Sequence, residues 1–123
     1  YLSQNGILVI AYSSLVPLSS WRDVEGQESA KTEKMKAEGA RANSPFKIMA
    51  KKYDVSEAQV LLRWGLQKGY ALVPKSANEE RIRQNIDIFS FEIDDKDMAA
   101  ITNMDRDAAV AWSLEVGDPT KVP

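Results

Sequence analysis

The sequence predicts an α/β protein built on a parallel sheet. Two observations lead there. The runs Gly6–Tyr12 and Gly69–Val73 are continuously apolar and rich in β-branched residues rather than alternating, the pattern of strands covered on both faces. Helical sequence lies between them and again after the second, which is the order of βαβ units.

The first strand is bounded by Asn5-Gly6 and by Ser13-Ser14. The segment Ser19–Asn43 is polar and reads as a long loop, of a length that commonly serves function. A helix follows, with Ser44 as N-cap, Pro45 at its first position and Phe46, Met49, Ala50 and Tyr53 along one stripe. The next helix starts at Ser56, where Ser56 and Gln59 form a capping box and Val55 and Val60 a hydrophobic staple. Val60, Leu61, Leu62 and Trp64 make it a buried helix, and Gly69 suits its C-terminal end. The second strand stops at Pro74, which has no N–H to give a ladder. Asn78 caps a third helix with Glu79 and Glu80 in its first turn and Ile82 and Ile86 as its apolar side. Ile88–Ile93 alternates and reads as extended. Asp94 caps a fourth helix, with Ile93 and Met98 as a staple and Ile101 inward. Asp105–Pro123 reads as a tail anchored by Trp112. Two parallel strands leave unpaired edges on both sides, so the remaining strands must come from further sequence or from a second copy. The opening Tyr1-Leu2-Ser3, with no Met and a strand close behind, agrees with a piece of something longer.

Composition excludes several chemistries. The 123 residues suffice for one domain. Cys and His are both absent, so a disulfide framework, a thiolate nucleophile, a zinc–thiolate site and a Ser-His-Asp triad cannot be built from this chain. A net charge of -2 argues against bulk nucleic-acid binding. No apolar run approaches the ~20 residues of a membrane span, and no signal peptide is visible. A cytoplasmic location, with neither nucleic acid nor membrane as partner, is the expectation.

The stretch Val73-Pro74-Lys75-Ser76-Ala77-Asn78-Glu79-Glu80-Arg81-Ile82-Arg83-Gln84-Asn85 carries the chemistry. A strand ends, a cation and a hydroxyl follow, and a helix begins with its free N–H groups. Arg81 and Asn85 share one face of that helix. Such a set suits a phosphate monoester; the plainer reading is a capped surface helix with solvated charges. A second feature is Tyr12-Ser13-Ser14-Leu15 at the end of the first strand. Tyr12 can stack on a flat heterocycle there while the hydroxyls of Ser13 and Ser14 reach phosphates, or Tyr12 can be a half-buried packing residue.

These residues, together with Ala58-Gln59-Val60, Leu62-Arg63-Trp64, Phe91-Glu92 and Asp97-Met98, resemble the aldo-keto reductases, in order and in spacing, over nearly the whole chain. The resemblance is to the last third or so of that family's (β/α)8 TIM barrel, its strands 7 and 8 with their helices and the C-terminal tail. Residues 1–123 are then a single partial domain. The resemblance implies reduction of aldehydes or ketones by hydride transfer from NADPH, with a small carbonyl compound as substrate. It implies Tyr12 against the nicotinamide ring, Ser13 and Leu15 near the pyrophosphate, Lys75, Ser76 and Arg81 around the adenosine 2′-phosphate, and Ala77, Gln84 and Asn85 near adenine and ribose. Two positions depart from the family pattern. Gln84 stands where Glu is usual, and Ser14-Leu15-Val16-Pro17 replaces Pro-Leu-Gly after Tyr-Ser. The family's Asp, Tyr, Lys and His tetrad has no counterpart in these residues, so no catalytic residue is assigned; Tyr53 and Tyr70 read as core. The alternative is a truncated, non-catalytic module that binds a nucleotide or assembles through its strand edges.

Overall fold

The computed structural model describes residues 1–18 and 33–105. A 3-10 turn, Ser3–Asn5, leads into strand β1, Ile10–Ala11. Five helices follow in part around strand β2: α1 (Glu33–Ala40), α2 (Pro45–Tyr53), α3 (Glu57–Gln67), then β2 (Ala71–Leu72), α4 (Glu79–Ile86) and α5 (Asp95–Thr102). β1 and β2 pair in parallel, with Ile10 beside Ala71 and Ala11 beside Leu72. The α/β order and the parallel pairing are those expected.

Local signals formed where the side chains dictate them. Gly6 leaves the opening turn at φ 69°. Ser44 Oγ accepts from Lys47 N–H at 3.4 Å, ahead of Pro45. At Ser56 both halves of the capping box are made: Gln59 N–H reaches Ser56 Oγ at 3.2 Å, and Ser56 N–H reaches Gln59 Oε1 at 3.0 Å. Gly69 follows the end of α3 at φ 81°, a conformation that only glycine takes without steric cost. Asn78 and Asp94 cap α4 and α5 through their side chains.

The core lies between α2, α3 and α5. Met49, Val60, Ile93 and Ile101 are buried together, with Phe46, Tyr53, Val55, Trp64, Phe91 and Met98 packed around them. Tyr70 meets Trp64 edge-on, with ring centroids 6.1 Å apart. α3 approaches β2 closely at Gly65, where an added Cβ would stand 2.9 Å from Leu72 Cδ2.

Five expectations need correction. The strands are shorter than the apolar runs: Ile7–Val9 lies outside β1, and of these three only Val9 reaches β2, its carbonyl accepting from Ala71 N–H at 2.9 Å. Ile7, Leu8 and Ile10 are exposed rather than covered on both faces, since the one paired neighbour leaves the rest of the run open. Ile82 and Ile86 likewise face solvent, and no residue of α4 is buried. The expected loop Ser19–Asn43 contains α1; its sequence Glu-Lys-Met-Lys-Ala-Glu-Gly-Ala is rich in strong helix formers. The alternating segment Ile88–Ile93 is neither strand nor helix. Its backbone is held by side chains instead. Gln59 Nε2 donates to Asp87 O at 2.7 Å, and Arg63 Nη1 donates to Ile88 O at 3.0 Å. Gln67 Nε2 donates to Ile93 O at 2.9 Å, while Gln67 Oε1 accepts from Ile93 N–H at 2.9 Å. Trp112 and the tail beyond Asp105 lie outside the described residues.

A second polar tie joins α2 to the start of α5. Lys52 Nζ is bonded to the Asp94 carboxylate and to Asp97 Oδ2 at 2.7 Å. Tyr53 donates its O–H to Asp97 Oδ2 at 2.8 Å and accepts from Asp94 N–H at 3.0 Å. The Lys52 ammonium holds the Asp94 carboxyl below its ordinary 3.8. Lys52 is raised from 10.5 by Asp94 and Asp97, and burial raises the Tyr53 phenol.

Two predictions follow from these ties. Gln67→Leu keeps the volume but strips both hydrogen bonds from Ile93, so urea unfolding should show a loss of about 1–3 kcal/mol; a change within about 0.5 kcal/mol would contradict this account of the segment. Asp94 has a depressed folded pKa, so its contribution is complete above 3.8 and is lost as pH falls through the lower folded value. Between neutral pH and about pH 3 the wild-type protein should therefore lose more stability than Asp94→Asn. Parallel urea midpoints at the two pH values check the sign.

Candidate functional site

The parallel pairing sets the geometry of the site. Because β1 and β2 run the same way in register, the chain leaves both strands at the same edge of the sheet. Tyr12 and Ser13 come immediately after β1; Pro74, Lys75 and Ser76 come just after β2 and lead into the N-terminus of α4. The two stretches singled out in the sequence thus emerge side by side.

At the β1 end, Tyr12 is 65% exposed among the described residues. Ser13 takes a left-handed backbone at φ 54°. Leu15 is half-buried, and Val16 is buried and ties its N–H to Ser13 O at 3.0 Å. At the β2 end, Ser76 Oγ accepts from Asn78 N–H at 3.1 Å, forming a small turn that presents the start of α4. Asn78 Oδ1 in turn accepts from Arg81 N–H at 3.0 Å. Lys75, Ala77 and Arg81 are open to solvent.

The charges sort themselves in a telling way. Arg83 is engaged with Glu79 at 2.7 Å, and Gln84 donates to Glu80 Oε1 at 3.1 Å, each one turn along the helix. Among the described residues the side chains of Lys75 and Arg81 have no such partner. Two unneutralised cations, a hydroxyl and the first N–H groups of a helix form a donor set suited to a phosphate group. Next to it lies an open depression of about 440 Å³. Its lining is polar at Ser76 and Asn85 and apolar at Leu72, Pro74, Ile82, Ile86 and Phe89. The structure thus brings Ser76 and Asn85 to one depression, places Lys75, Ala77 and Arg81 at the start of the same helix with Gln84 in its last turn, and sets Tyr12, Ser13 and Leu15 on the neighbouring strand exit.

The sequence allows the Ser14 hydroxyl, like that of Ser13, to reach a phosphate; the structure shows it bonded to the backbone instead. Its hydroxyl donates to Ala11 O, the last residue of β1, at 3.1 Å. The departure from the family pattern at this position was the available signal. Tyr53 and Tyr70 are half-buried and engaged in packing and capping, as read. Among the described residues no cluster of acidic side chains could hold a metal ion, and no helix is long and apolar enough to cross a membrane.

Comparison with known proteins extends this picture. The model of the aldo/keto reductase family matches residues 1–106. A probable NAD(P)H-dependent D-xylose reductase of Aspergillus flavus is 35% identical over 106 residues, covering 86% of this chain and 31% of that protein. The NAD(P)H-dependent D-xylose reductase of Scheffersomyces stipitis is 36% identical over 105 residues, covering 85% and 31%. Among solved structures, an aldo-keto reductase of Bombyx mori in complex with NADP superposes with a TM-score of 0.73 at 29% identity, covering 99% of this chain and 36% of that one. The chain spans about a third of the length of the curated relatives it matches. With the family model matched over most of its length and the fold shared with a solved aldo-keto reductase barrel, the chain belongs to the aldo/keto reductase family.

Proposed function

We propose that this chain is the C-terminal, cofactor-binding portion of an NADPH-dependent aldo-keto reductase that reduces aldehydes or ketones to alcohols. The observation that carries the reading is the shared strand exit, with an exposed Tyr12 at one strand and the free cations Lys75 and Arg81 at the other. That such sites collect at the C-terminal ends of barrel strands, with phosphates near strands 7 and 8, supports it. So do the exposed apolar residues of β1 and α4, which suit a face covered by the remaining barrel sequence.

The donor set fits the cofactor, which when bound supplies a hydride to a carbonyl carbon. Lys75, Arg81 and the Ser76 hydroxyl would hold the 2′-phosphate. Ala77, Gln84 and Asn85 would border the adenosine. Ser13 and Leu15 would flank the pyrophosphate, and Tyr12 would lie against the nicotinamide ring and fix which face it offers to substrate. The proton that the carbonyl oxygen needs would come from the rest of the protein. General acid catalysis of that kind is worth about 10²–10⁴-fold.

Charge-assisted hydrogen bonds contribute roughly 1.5–3 kcal/mol each, so the whole protein should bind NADPH at least about tenfold more tightly than NADH. Arg81→Ala should erase most of that gap, and fluorescence titration giving equal affinities for the unmutated protein would refute the assignment. The 123-residue chain by itself should not oxidise NADPH with 4-nitrobenzaldehyde. Turnover by a pure sample, verified by intact mass, would overturn the division of labour.

A further inference from the structure

We propose that Ser14 is a positioning residue: its hydroxyl, bonded to the Ala11 carbonyl, holds the strand exit in the shape that presents Tyr12 and Ser13 to the cofactor. The inference rests on the cofactor-binding reading above.

Among the described residues, two non-glycine residues have positive φ, Ser13 at 54° and Asp54 at 55°. Asp54 needs no special cause, since it is the left-handed cap that ends α2, and aspartate tolerates that region. Ser13 ends no helix. A left-handed non-glycine residue persists only where its surroundings over-determine it, and such residues gather where a side chain must be aimed.

The restraints around Ser13 are visible. On one side Ser14 Oγ donates back to Ala11 O at 3.1 Å, closing a loop over Tyr12 and Ser13. On the other side Val16 N–H donates to Ser13 O at 3.0 Å, and the buried Val16 side chain pins that turn to the body of the protein. A second turn, Leu18 N–H to Leu15 O at 3.0 Å, continues it. Tyr12 lies within the loop closed by Ser14 yet is itself largely exposed, so packing does not hold its direction. The backbone does.

The test uses the whole protein and reads affinity for NADPH and NADH separately, beside the melting temperature. Tyr12, Ser13 and Leu15 address the half of the cofactor common to both nucleotides. Ser14→Ala should therefore weaken NADPH and NADH by the same factor, about 3- to 10-fold for one lost hydrogen bond, and Ser14→Thr should restore both. A purely structural role would lower the melting temperature and leave the affinities in place; that result, or unchanged affinities in Ser14→Ala at any melting temperature, overturns the proposal. Arg81→Ala serves as the independent arm. If it selectively weakens NADPH while Ser14→Ala changes neither nucleotide, the positioning role alone fails. If Arg81→Ala is also without effect, the cofactor-binding reading fails with it.

Discussion

Gln59, Arg63 and Gln67 stand at every fourth position of α3 and so form a single polar stripe along it. That stripe takes up backbone groups of Asp87, Ile88 and Ile93. A backbone N–H or C=O that loses water must find another partner, and the carbonyls of Asp87 and Ile88 and both groups of Ile93 find theirs on α3 rather than in a sheet. The bonds decide where Ile88 and Ile93 are buried. They set where α5 begins, and they hold the far end of α4 against α3. Gln59 contributes twice, with its carbonyl closing the capping box at Ser56 and its amide reaching Asp87. The start of α3 and the end of α4 are therefore fixed by one side chain.

From this anchor the candidate site follows by short steps. Gly65 lets α3 lie close against Leu72, which places β2. The parallel register with β1 then puts Tyr12 and Lys75 on one edge. Asn78 starts α4 at that edge, and its acidic first turn is kept in order by Arg83 and Gln84. At that edge the side chains of Lys75 and Arg81 have no ion-pair partner among the described residues. Nothing in this sequence of placements requires a buried charge. The site is a surface feature held by rigid elements beneath it.

Much of this was legible in the sequence because it is governed by neighbours in the chain. Ser44, Ser56, Asn78 and Asp94 each cap the helix expected of them, since capping joins a side chain to N–H groups only two or three residues away. The strand end at Pro74 and the helix start at Asn78 around Lys75 and Ser76 were legible for the same reason. What escaped depends on partners far along the chain. The alternation in Ile88–Ile93 signals burial on one side, but not that side chains twenty-odd positions earlier would replace a strand partner. Ile82 and Ile86 mark an apolar face without saying whether it is covered. The helix Glu33–Ala40 was masked by its polarity, although its residue types favour a helix. Ser13 carries no sequence mark of a left-handed backbone, because serine there is uncommon and the restraint comes from Ser14 and Val16 together.

The central claim is that one sheet edge offers Tyr12 to a nicotinamide and Lys75 with Arg81 to a 2′-phosphate. A crystal structure of the complete protein with NADP bound addresses it most directly. The account predicts the 2′-phosphate within hydrogen-bonding distance of Lys75 Nζ and the Arg81 guanidinium, and the Tyr12 ring stacked on the nicotinamide. A cofactor whose 2′-phosphate lies away from the start of α4, or whose nicotinamide does not meet Tyr12, would contradict it.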